Sequence, residues 1–158
     1  MKKHQLLFAL ILLLFSFKSN AQAPNWLWAK SFGSNGNEMD YSITIDSSGN
    51  IYATGEFNET IDFDPGPGIY NMSSSTGASV FIVKMDPYGN FIWARTFSGF
   101  GSSGISIAVD AAENVYTTGK FYATVDFDPG PGVFNLTATS NPDIFISKLD
   151  ASGNFVWA

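Results

Sequence analysis

An all-β chain of four-stranded antiparallel sheets, stacked face to face, is predicted by three observations. The segment Asp62-Phe63-Asp64-Pro65-Gly66-Pro67-Gly68 recurs letter for letter as Asp126–Gly132, 64 residues later. Residues 43–94 set against 107–158 agree at 25 of 52 positions, and most mismatches keep their volume class, as in Ile45/Val109, Ile61/Val125 and Met72/Leu136. Within each copy the apolar residues alternate with period two, and nothing after residue 21 has a helical period. A chain that repeats at such a spacing is a stack of copies of one supersecondary unit.

The first 21 residues stand apart. Lys2 and Lys3 form a basic head, residues 6–17 are an apolar run of 12, and Ser19-Asn20-Ala21 supplies small residues for cleavage before Gln22. The run is short for a membrane span, and the alternative to a signal peptide is an uncleaved N-terminal anchor. The sequence therefore predicts a signal peptide over 1–21, no membrane insertion after its removal, and a secreted or cell-surface protein. With no cysteine, the remainder depends on packing alone.

Loss of Lys2, Lys3 and Lys18 leaves five basic residues against fourteen acidic ones, a formal charge of −9. Nucleic acid is excluded as a partner, because it needs clustered Lys and Arg. The one histidine, His4, leaves with the signal peptide. Imidazole acid–base chemistry, Ser-His nucleophiles and His or Cys metal ligands leave with it.

The strands follow in order. Tyr41, Ile43 and Ile45 alternate with Ser42 and Thr44, as Ile105, Ile107 and Val109 alternate with Ser106 and Ala108, which predicts half-buried strands. Four loops follow strands, at 46–50, 86–90, 110–114 and 150–154, each opening with Asp and closing with Asn. Asp bonds its own turn, and Gly takes the left-handed conformation that closes a hairpin. Two hairpins per unit give strands near 41–46, 51–57, 80–85 and 91–97, then near 105–110, 115–121, 144–149 and 155–158. In the fourth strand Phe91, Trp93, Arg95 and Phe97 are expected on one face, with Ile92, Ala94 and Thr96 on the other. Apolar residues on both faces predict a sheet with neighbours on both sides.

Four-stranded sheets stacked around an axis make a β-propeller. The two-hairpin unit resembles the bacterial β-propeller repeat family known as SBBP. The resemblance rests on Ile43 to Gly55 and Ile107 to Gly119, which carry the Asp-x-x-Gly-Asn turn and a Thr-Gly ending. It rests also on Phe81 to Trp93 and Phe145 to Trp157, which carry Lys, Asp, Gly and the closing Trp. It implies a propeller blade for each unit. Two departures are Thr44 in place of Ala and Glu113 in place of the turn Gly; the latter is expected to shift the left-handed position to Asn114.

The tripeptide ending Trp-Ala occurs three times, at Trp28, Trp93 and Trp157. This places an orphan outer strand at 25–33, blade one at 34–97 and blade two at 98–158, where the chain stops in mid-strand. Only about two blades are present, which predicts a fragment of a longer protein, with its remaining blades or self-association as partners. In many propellers an N-terminal outer strand completes the last blade.

Asp62 and Asp64, with Asp126 and Asp128, are the candidate site residues. Alternation places both carboxylates of a pair on one face and Phe63 on the other, where it anchors the loop. They are candidate Ca²⁺ ligands, because hard cations take several oxygens; the other reading is a rigid turn set by Pro and Gly, and the two can hold together. Glycoside hydrolysis needs carboxyl groups facing each other across a substrate, roughly 5–9.5 Å apart, which two residues on one strand do not supply. Trp28, Trp93 and Trp157 are expected at blade-to-blade contacts rather than as sugar platforms. Lys84 and Lys148 are expected to reach solvent, and residues 73–76 to form a flexible tip. The expectation is a non-enzymatic structural or binding module with a protein or glycan ligand. The alternative is part of an exported hydrolase whose active site lies in blades or domains outside this chain.

Overall fold

The structure, a computed structural model, describes residues 27–140 and 142–158, apart from the side chains of residues 75 and 76. The signal-peptide region and Trp26 lie outside the described residues.

Each main hairpin is built on one clamp. Asp46 Oδ1 accepts the amides of Ser48 and Asn50 at 2.9 Å, and its Oδ2 accepts the Asn50 side-chain amide at 2.8 Å. The Gly49 amide donates to the Asp46 carbonyl, and the Asp46 amide to the Asn50 carbonyl. Asp86–Asn90, Asp110–Asn114 and Asp150–Asn154 repeat the arrangement. The clamp satisfies the polar groups that a tight turn exposes. Its fourth residue is left-handed, at φ 84° for Gly49, 76° for Gly89 and 77° for Gly153. In the third loop Glu113 takes this conformation itself, at φ 61°, and Asn114 does not. The Asp110–Asn114 clamp fixes the same turn whatever residue stands there, at a cost of about 1–2 kcal/mol for a residue with a Cβ.

Ten strands result: β1 (Met39–Ile45), β2 (Ile51–Asp62), β3 (Asn71–Met85), β4 (Phe91–Phe97), β5 (Ser103–Val109), β6 (Val115–Phe121), β7 (Thr124–Asp126), β8 (Asn135–Thr137), β9 (Asp143–Leu149) and β10 (Phe155–Trp157). Sheet one has the order β1-β2-β3-β4, sheet two the order β10-β9-β6-β5, and β7 pairs with β8. All pairs are antiparallel, and no helix occurs among the described residues.

Four expectations are corrected. The β2–β3 pair runs past an irregularity, where residues 75–78 stand opposite Asn58, to the pair Asp62↔Asn71, so residues 73–76 belong to β3, with Ser73 facing Thr60. In β4 the register skips Ile92, because Lys84 pairs with Trp93 and Met85 with Phe91. That bulge turns Phe91 to the face of Met85 and Ala94, away from Trp93 and Phe97. Residues 27–33, expected as a strand, pair with no strand among the described residues. Phe32 seats on the face of sheet one and Trp28 on its Asp86–Asn90 turn, while the other side chains of 27–33 are exposed. In β1, Ile43 and Ile45 are 63% and 64% exposed, whereas Ile107 at the equivalent place in β5 is 6% exposed. Sheet one covers Ile107, and nothing described lies over β1 on that side.

The two sheets stack through one core. Tyr52, Val80, Ile82, Trp93 and Phe97 of sheet one meet Ile107, Val115, Phe121, Phe127, Phe145 and Leu149. Phe97 lies 5.1 Å from Phe127 and edge-on to Phe145 at 6.0 Å. Phe32 contacts Phe63 at 5.3 Å and Phe81 at 6.0 Å in the same geometry, over the opposite face of sheet one. Glycine permits the close crossings: a Cβ on Gly55 would fall 1.8 Å from the Met39 carbonyl oxygen, and one on Gly119 falls 1.9 Å from that of Ser103.

Phe97 is fully buried between the sheets. Phe97→Ala is therefore expected to cost about 3–5 kcal/mol, measured by urea unfolding. Ile43→Ala, at an exposed site, is expected to change stability by less than about 1 kcal/mol.

Candidate functional site

The recurring heptapeptide caps the β2–β3 hairpin of sheet one and, in its second copy, the β7–β8 ribbon. The Phe63 amide donates to the Tyr70 carbonyl at 3.0 Å, and Phe127 to Phe134 at 2.9 Å. Asp62 Oδ1 accepts the amides of Asp64 at 3.0 Å and Tyr70 at 2.8 Å; Asp126 repeats both bonds to Asp128 and Phe134. Asp64 Oδ1 accepts the Gly66 amide at 2.8 Å, and Asp128 that of Gly130. Asp64 Oδ2 then lies where a Cβ on Gly68 would come within 2.1 Å, with 2.2 Å for Gly132 against Asp128. Phe63 and Phe127 are wholly buried. Both carboxylates of a pair are thus turn-forming acceptors, which accounts for the paired Asp as well as for Pro and Gly. Among the described residues no three acidic or histidine side chains converge.

Beside the second copy of this loop lies a groove of about 340 Å³, lined by Arg95, Asp128 to Gly132 and Gly153 to Phe155. Arg95 is a fastener here. Its Nε donates to the Gly153 carbonyl at 2.9 Å, one terminal nitrogen to Ser152 at 2.9 Å, and the other to Ala94 at 2.8 Å. Trp93 Nε1 donates to the Ala151 carbonyl at 3.2 Å, and its ring lies against Gly153. Trp28 treats sheet one alike, with Nε1 on the Pro87 carbonyl at 3.2 Å and its ring against Gly89. Tryptophan and cation side chains therefore fasten one unit to the turn of the next.

Lys84 is buried, contrary to the expectation that it reaches solvent. Its ammonium lies 2.8 Å from Glu113 Oε2 of sheet two and 5.0 Å from the centre of the Tyr52 ring. Tyr52 in turn donates to Asp46 at 3.1 Å. Burial works to lower the Lys84 pKa, and the contacts with Glu113 and Tyr52 outweigh it and hold the ammonium charged. The ion pair offsets the left-handed strain at Glu113. Sequence reasoning missed it, although a charged residue in a slot that favours glycine was the available signal. In sheet two, Lys148 repeats the contact with its own tyrosine, 5.1 Å from the Tyr116 ring.

The turn clamps leave an electrostatic signature. The Asn114 side-chain amide, with backbone amides and the Tyr116 hydroxyl, holds the Asp110 carboxyl at about 2, below its ordinary 3.8. Ser140, with Thr139, holds Asp143 at about 2. Asp86 and Asp150 are lowered too, chiefly by the backbone amides of Asn90 and Asn154.

Comparison with known proteins gives two matches. Residues 27–59, from the docked Trp28 segment through most of β2, match the family model described as Beta-propeller repeat, SBBP. The chain is also 34% identical to "Uncharacterized WD repeat-containing protein L264" of Acanthamoeba polyphaga mimivirus, over 60% of this chain and 8% of that protein. It thus spans less than a tenth of that relative's length.

The depressed carboxyls contribute to the acid limb of stability. Between about pH 4 and pH 2 the unfolded chain binds protons that folded Asp110 and Asp143 refuse, so stability present above this window is lost within it. The melting temperature is expected to stay level from pH 7 to about 5 and to fall below about 4. A level profile down to pH 2 contradicts the clamps.

Proposed function

We propose that this β-propeller repeat chain is an exported, non-catalytic module with a structural or binding role, secreted or held at the cell surface. The observation that carries the reading is where its recurrent polar residues are spent. The Asp–Asn pairs close turns, the paired Asp residues hold the heptapeptide loops, and Arg95, Trp93 and Lys84 join one sheet to the next. None of these sets places an acid and a base across an open cleft. The leader and the single histidine within it support export without imidazole chemistry in the mature chain. The matched repeat family and the name of the viral relative fit a repeat module.

Expression with the leader intact is expected to deliver a protein starting at Gln22, measured by intact mass. A panel of glycans and glycosides is expected to show no turnover. Turnover by this chain, abolished by Asp62→Asn with Asp126→Asn, would move the protein to the hydrolase class.

Asp62, Asp64, Asp126 and Asp128 are read here as turn formers rather than Ca²⁺ ligands. A hard cation takes about six to eight oxygens, and each of these aspartates already accepts backbone amides. Millimolar Ca²⁺ is therefore expected to leave the melting temperature unchanged. Gly132→Ala is expected to lower it by about 4–8 °C, because the added methyl displaces the Asp128 carboxylate. A rise with Ca²⁺ that Asp126→Asn removes restores the metal reading.

A further inference from the structure

The outward face of sheet two repeats a surface that sheet one keeps covered. Tyr52, Val80 and Ile82 have no exposure and Trp93 has 7%, all beneath sheet two. Their counterparts in sheet two are Tyr116, Ile144, Ile146 and Trp157, of which the last three are 82%, 55% and 42% exposed. Between them a shallow hollow of about 190 Å³ is lined by Tyr116, Thr118 and Ile146, with Ser106 and Ala108. At the equivalent place on sheet one, Gly104 of sheet two presses so close that a Cβ on it would lie 2.2 Å from Thr54 Oγ1. Among the described residues Lys148 has no carboxylate partner, whereas Lys84 has Glu113.

We propose that this face docks a further four-stranded repeat of the same build, and that Lys148 selects one carrying a carboxylate in the left-handed slot of its first turn. This deepens the module reading above, on which it rests. The occupant is specified by three contacts that sheet two makes on sheet one. It brings glycine opposite Thr118, as Gly104 stands opposite Thr54. It brings an acidic residue to Lys148, as Glu113 comes to Lys84. It leaves its second turn open to Trp157, as the turn Asp150–Asn154 receives Trp93.

A second copy of this chain, presenting its sheet one, fails all three requirements. Asp40 stands where Gly104 does, Gly49 stands where Glu113 does, and Trp28 already fills the Asp86–Asn90 turn through its bond to Pro87. Blade two's own sequence meets all three.

The test is an extended chain in which residues 95–158 are repeated once more after Ala158, which keeps the 64-residue period. Iodide quenching of Trp157 is read as the difference from Trp157→Phe, in the chain as it stands and in the extended one. The expected result is that most of this quenching disappears on extension. Replacing the added unit's copy of Glu113 by Gly is expected to lower the melting temperature by about 2–4 °C. Lys148→Glu is expected to lower it further, and a lysine at the added glutamate position to restore it. Undiminished quenching, an added repeat that stays unfolded, or a charge swap that restores nothing overturns the proposal. So does sedimentation showing that the unextended chain dimerises and thereby buries Trp157. None of these outcomes depends on export or on catalysis, which the secretion and glycan assays test separately.

Discussion

A sheet with apolar side chains on both faces has to be covered twice, and this constraint governs the chain. Sheet one places Phe57, Phe63, Phe81 and Val83 on one side and Tyr52, Val80, Ile82 and Phe97 on the other. Burying a side chain of this size stabilises by about 1.5–3 kcal/mol, so neither side can be left to water. Sheet two covers one side and Phe32, from the docked segment, covers part of the other. Stacking is therefore the condition under which each sheet exists.

Polar groups adapt to that condition. The clamps close turns at the rim, where Asp, Asn and glycine meet the hydrogen-bonding needs of the backbone without reaching into the core. Lys84 is the exception, a charge carried inside the stack. The Lys84 side chain is 7% exposed and that of Glu113 37%, so the pair is half-buried, and losing Glu113 leaves the enclosed ammonium without its carboxylate. The same pair makes the seam directional, because the lysine comes from a third strand and the glutamate from the first turn of the following sheet.

Much of the fold was legible because the repeat fixes it twice. The eight main strands and four turns follow from period-two patterning and Asp-x-x-x-Asn spacing, and the expected Phe63 anchor is buried as read. Three features escaped. The bulge at Ile92 shifts Phe91 to the other face without altering the residue pattern. The continuation of β2 and β3 beyond Phe57 is written in Thr, Ser and Asn, residues that suit edge hairpins and loops equally. The place of Glu113 depends on a lysine 29 residues away in sequence, a contact that periodicity does not encode. The loop aspartates were legible as a pair but not as turn acceptors, because that role depends on backbone amides brought round by the turn itself.

Trp28 on Pro87 and Trp93 on Ala151 are the same join made twice. The join holds across a one-residue difference in span, 59 residues from Trp28 to Pro87 and 58 from Trp93 to Ala151. Trp28 and Trp93 are 65 residues apart and Trp93 and Trp157 are 64, yet Trp28 and Trp93 reach equivalent turns. The chain ahead of each sheet can thus differ by a residue without loss of the join. Glu113 against Gly49, and Gly104 against Asp40, mark the two copies as distinct neighbours in the stack.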